Sequence, residues 1–62
     1  MTLQEVKQLH SGDEVYWTDP AEQDGLEHHS GYITIREITI VGEIVCIVHD
    51  GGNLECFAHE LS

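Results

Sequence analysis

The stretch Tyr32–Glu43 reads YITIREITIVGE, and its parity decides the fold. Successive side chains of a strand point to opposite faces, so Ile33 and Ile35 share one face while Ile38 and Ile40 fall on the other. All four cannot reach one core unless an extra residue intervenes. The reading is a β-bulge or sharp bend near Arg36-Glu37, as small barrels need where a strand changes sheets. Gly42-Glu43 then turns the chain into a further strand, Ile44 to His49, which is apolar on both faces and expected at a central position.

Upstream, Glu14 to Thr18 (EVYWT) is rich in β-formers and alternates, with Val15 and Trp17 on one face. Asp19-Pro20 stops that strand, because proline has no amide hydrogen for a ladder. Ala21 to Ser30 follows as a polar loop. Further back, Leu3, Val6 and Leu9 recur every third residue, and Thr2 with Glu5 has the form of a capping box. That pattern predicts one or two helical turns; the competing reading is an irregular lead-in that places Val6 and Leu9 on the core. Ser11-Gly12-Asp13 is a turn signal.

Downstream, Asp50-Gly51-Gly52-Asn53 is the strongest hairpin signal, since glycine supplies the positive φ of tight turns. Leu54 to Ala58 returns, and Leu61 is expected to fold back onto the core. The expected fold is all-β: a small, partly open antiparallel barrel of four or five short strands with a short N-terminal helical turn. At 62 residues the chain, residues 1–62, has room for a single domain.

The landmarks GDEVYW, GYITIREI, EIVCIVH and LECFAHEL, over roughly residues 11 to 61, resemble an SH3-like barrel. That resemblance implies a fold and little about function, because this barrel hosts many unrelated activities. More narrowly, GDEVYWTDP, the SGY that leads into the second strand, the DGG hairpin and the closing HELS are similar to short acidic proteins of unassigned function in bacteria, often on plasmids and integrated elements. The family implies no catalytic residues. Two departures from better-known barrels matter. The basic residues of the ribosomal and transcription-factor versions are absent, and an aromatic cage lacks rings, since Trp17 and Phe57 are expected in the core.

Charge narrows the function classes. Twelve acidic residues face two basic ones, Lys7 and Arg36, for a formal charge of -10. Nucleic acid is held by basic side chains that displace counterions, so no direct DNA or RNA binding is expected, and an anionic membrane surface is excluded on the same ground. A basic protein surface is the favoured partner. The start, Thr2-Leu3-Gln4-Glu5, lacks the basic and apolar run of a signal peptide, so a cytoplasmic location with reduced thiols is expected.

Catalytic and metal constellations are weak. His28-His29 with Asp24 and Glu27 is the best metal candidate, but structural zinc sites take four ligands, commonly with cysteine, so a solvated loop is preferred and no cofactor is expected. His10, His49 and His59 lie among so many carboxylates that a His–carboxylate pair carries no weight, and neither Ser nor Cys sits in a nucleophile turn. No enzyme activity is expected. With Gly51-Gly52 as the loop, Cys46 opposes Phe57 and the two cysteines, Cys46 and Cys56, fall on opposite faces as buried free thiols; a one-residue change of register would set them side by side.

The recognition surface is expected at Tyr16 and Tyr32, with the loop carboxylates Asp19, Glu22, Asp24 and Glu27. The leading expectation is a non-enzymatic protein-interaction module. The alternative is an acidic inhibitor that imitates nucleic acid and blocks a DNA- or RNA-binding complex of host defence.

Overall fold

The computed structural model describes residues 1–25 and 29–62, apart from the Gln23 side chain. Four antiparallel strands follow in order: β1 Glu14–Trp17, β2 Gly31–Val41, β3 Ile44–His49 and β4 Gly52–Phe57, preceded by the helical turn α1 Leu3–Val6. Each strand pairs with its sequence neighbour, a meander that curls into a partly open barrel.

The expected irregularity lies in β2. Ile35 opposes His49 of β3 while Glu37 opposes Val48, so Arg36 is the extra residue. One inserted residue restores parity, and Ile33, Ile35, Ile38 and Ile40 all reach the same core. Ile35 is the corner. Its carbonyl accepts from Gly12 N at 2.7 Å and its N–H donates to the Asp13 carbonyl at 2.8 Å, on the β1 side, while its other edge faces β3. Val6, Val15, Ile35, Val45, Ile47, Cys56 and Leu61 make the buried core. Fully burying an aliphatic side chain contributes about 1.5–3 kcal/mol relative to leaving it exposed.

The helical turn forms as the capping box predicts. Thr2 Oγ1 accepts from Glu5 N at 3.2 Å, and Thr2 N donates to Glu5 Oε1 at 2.9 Å. The Thr2 backbone bond first, then the Thr2 hydroxyl, holds the exposed Glu5 carboxyl below its ordinary value. Val6 is the residue this turn delivers to the core.

Closure comes from the C-terminal residues. After β4, Ala58–Glu60 form a 3-10 turn and the chain returns along the free edge of β1, with Leu61 opposite Trp17. Tyr16 and Ser62 exchange both backbone hydrogen bonds at 2.9 Å, and Thr18 N donates to the Glu60 carbonyl at 2.8 Å. β1 is therefore paired on both sides, and Leu61 is buried as expected.

Three expectations need correction. The β3–β4 loop is Asp50-Gly51, not Gly51-Gly52: His49 opposes Gly52 and Cys46 opposes Glu55. Gly52, at φ 134°, carries the positive φ of this turn. Phe57 is not core but 44% exposed, because its inward-facing neighbour is Cys56. β3 is central, yet only Val45 and Ile47 are buried; its opposite face, with Ile44, Cys46 and Val48, is left open to different degrees. Cys46 is accordingly half-buried rather than buried, and the two thiols are free on opposite faces.

Candidate interaction surface

Tyr16 and Tyr32 are directly opposed across the β1–β2 ladder, one pair before Trp17–Gly31 closes the loop. Their rings meet edge to face, 5.1 Å between centroids at 76°. Opposed residues share a face, and this one points away from the core: Val15 and Ile33, the neighbouring opposed pair, point in. Tyr16 is half-buried and Tyr32 is 72% exposed. The pair leaves one aromatic ring supported from the side and presented to solvent. Both residues are candidates by sequence, but their contact follows only from the register of β1 on β2.

The loop beyond them is more ordered than a polar linker. Pro20–Asp24 form a 3-10 turn with Asp19 as its N-cap, an element not expected from the sequence. Asp19 Oδ1 accepts from Ala21 N at 3.0 Å and Oδ2 from His29 N at 3.1 Å. Asp19 N donates to Ser30 Oγ at 2.8 Å, and that hydroxyl donates to Glu22 Oε2 at 2.9 Å. Two of the predicted recognition carboxylates, Asp19 and Glu22, thus hold the ends of the loop together. Part of their hydrogen-bonding capacity is committed within the chain. Asp24 is exposed. Glu27 lies outside the described residues, and so does His28, with the metal reading that depends on it.

The C-terminal turn borders this surface. Thr18, Pro20, His59 and Glu60 line a hollow of about 130 Å³ beside the loop. His59 stacks flat on Phe57, 5.7 Å between ring centroids at 9°. The hollow was not legible in the sequence, because it depends on the C-terminal segment returning to β1.

His10 and His49 have local partners. His10 Nδ1 lies 3.8 Å from Asp13 Oδ2, and His49 Nδ1 accepts from Gly51 N at 3.1 Å. Among the described residues, no group of three His, Cys, Asp or Glu side chains could hold a metal ion. Among the same residues, no helix is long and apolar enough to cross a membrane. Arg36, at the bulge, reaches Asp50 at the tip of the β3–β4 hairpin with Nε 2.5 Å from Oδ1, so one of the chain's two basic side chains is offset by a carboxylate.

No family model, curated protein or solved structure matches this chain.

Proposed function

We propose that the chain is a non-enzymatic interaction module that docks a basic protein surface at the Tyr16–Tyr32 pair and the adjoining acidic loop. The observation that carries this reading is Tyr32 itself, 72% exposed and braced edge-on by Tyr16 beside a loop that holds Asp19, Glu22, Asp24 and Glu27. A rigid exposed tyrosine offers contact area at low entropic cost, and aromatic anchors contribute much of interface energy. The carboxylates add long-range attraction for a cationic partner, which acts mainly on the association rate. The proposed SH3-like class is supported by the return of the last residues onto β1 after a 3-10 turn. The proposed setting is a bacterial or mobile-element cytoplasm.

The test is surface plasmon resonance against the partner recovered by salt elution from the immobilised chain. Changing Glu22, Asp24 and Glu27 to their amides should slow association most strongly at low salt, and Tyr32→Ala should speed dissociation. Unchanged rates in both variants would place the interface elsewhere.

A second reading is favoured by charge density: a formal charge of -10 on a body of 31 × 23 × 17 Å. Such a surface is suited to imitating nucleic acid in a DNA- or RNA-binding site. Duplex DNA displacing the chain from its partner would select this reading; simultaneous binding would select the first.

A further inference from the structure

The outer face of the sheet carries an apolar row that neither reading uses. Val41 opposes Ile44, and Ile44 opposes Phe57, so the three side chains stand side by side across β2, β3 and β4. Val45 and Cys56, the next residues along, are buried, which fixes this row on the solvent side. Val41 is 64% and Phe57 44% exposed. Water is left against a β-branched side chain and an aromatic ring in the two strands that flank β3.

A groove of about 330 Å³ opens beside this row, lined by Met1, Leu3, Glu43, Phe57, Ala58 and His59. The Met1 amino group is turned onto the Leu61 carbonyl. Glu43 stands in the β2–β3 turn at the groove's rim, and Glu55 shares the outer face two residues before Phe57. The lining contains no Lys or Arg. His59 lines both this groove and the hollow at Thr18 and Pro20, which makes the two hollows neighbours.

We propose that the Phe57 groove takes an apolar side chain, aliphatic or aromatic, flanked by Lys or Arg on a segment of the basic partner. The occupant's apolar character follows from Met1, Leu3, Phe57 and Ala58, and its cationic flank from Glu43 and the net charge. A second copy of this chain is disfavoured as occupant because two bodies of formal charge -10 repel. The cationic flank rests on the basic-partner reading above; the apolar seat does not.

The probes are three blocked tripeptides, Lys-Phe-Lys, Lys-Ala-Lys and Glu-Phe-Glu, titrated into the isotope-labelled chain and followed by amide chemical shifts. Lys-Phe-Lys should give saturable shifts at Glu43, Phe57, Ala58 and His59, and the other two should give at least about tenfold weaker binding. Phe57→Ala should weaken Lys-Phe-Lys about tenfold, and Glu43→Lys should abolish it at low salt, with the rest of the spectrum unchanged. Tyr32→Ala and Asp24→Asn should leave groove binding within about twofold, which separates failure of the groove from failure of the loop surface. Equal shifts from Lys-Ala-Lys, or shifts confined to residues 19–32, would overturn the proposal. So would concentration-dependent self-association that Phe57→Ala removes.

Discussion

Trp17 Nε1 donates to Glu60 Oε1 at 3.0 Å, across 43 residues of chain. The other oxygen, Oε2, accepts from the Phe57 backbone N–H at 3.0 Å. One carboxylate, only 9% exposed, therefore ties β1 to the turn that closes the barrel. A buried acid is tolerated because both its oxygens are satisfied.

Glu60→Gln keeps the shape but cannot accept both bonds, since one oxygen becomes an NH₂ donor facing another donor. Leaving a buried donor without a partner costs about 1–3 kcal/mol. Urea unfolding followed by Trp17 fluorescence should show the midpoint falling without a change in slope. An unchanged midpoint would mean that the latch contributes nothing.

The bulge separates two variants of the same residue. Arg36→Ala removes an exposed ion pair with Asp50 and should cost about 0–1 kcal/mol. Deleting Arg36 altogether turns Glu37 to Val41 over, putting Thr39 toward the core and Ile38 and Ile40 toward water. The deletion should abolish the dispersed amide spectrum while the alanine variant keeps it. A folded deletion variant would show that the strand can slip.

Adjacent glycines in the β3–β4 hairpin should respond unequally to alanine. Gly52 lies at φ 134°, a region closed to side chains, so Gly52→Ala should cost about 1–3 kcal/mol. At Gly51 an added Cβ meets only the His49 ring, Cε1 at 3.1 Å and Nδ1 at 3.3 Å, an exposed contact that the side chain relieves by turning aside and giving up its bond from Gly51 N. Thermal melts should rank Gly52→Ala well below Gly51→Ala.

Asp19 and Asp24 should likewise part company. Asp19→Ala removes a cap and the bond from His29 N, and should destabilise by about 1 kcal/mol. Asp24→Ala, on the exposed face of the same turn, should stay within about 0.5 kcal/mol. Equal melting temperatures for the two would sever the link between Asp19 and loop order.

Burial, aided by the nearby charges of Glu60 and Cys46, pushes the Cys56 thiol up to about 11 from 9.0. The unfolded thiol loses its proton first, so the unfolded state gains on the folded one as pH rises through that interval. Stability from this residue is intact below pH 9.0 and is lost between there and about 11. The loss is on the order of 2 kcal/mol. Denaturation at pH 8, 9.5 and 10.5 should show it in the wild type and less of it in Cys56→Ala. At pH 8 a thiol reagent should modify half-buried Cys46 readily and spare Cys56 until unfolding.

What the sequence determined by itself was local. The parity break between Ile35 and Ile38 required an extra residue, and Arg36 is that residue. Thr2 and Glu5, three apart, were enough for the capping box; Gly42, at φ 62°, was enough for a two-residue turn. Tyr16 and Tyr32 were legible as candidates because each stands one step out of phase with an inward-facing residue.

Tertiary structure decided what local pattern leaves degenerate. Moving the β3–β4 partners by two residues, from Cys46–Phe57 to Cys46–Glu55, keeps every side chain on its face, so hydrophobic alternation cannot choose between the registers. The turn chooses, by placing Gly52 where φ is positive. The return of Leu61 to Trp17 and the reach of Glu60 to both Trp17 and Phe57 join segments that no periodicity links. The same return brings the C-terminal turn beside the acidic loop, setting His59 between the Thr18 hollow and the Phe57 groove. Whether the Asp19 oxygens served a partner or the loop's own amides depended on where Ala21 and His29 came to lie.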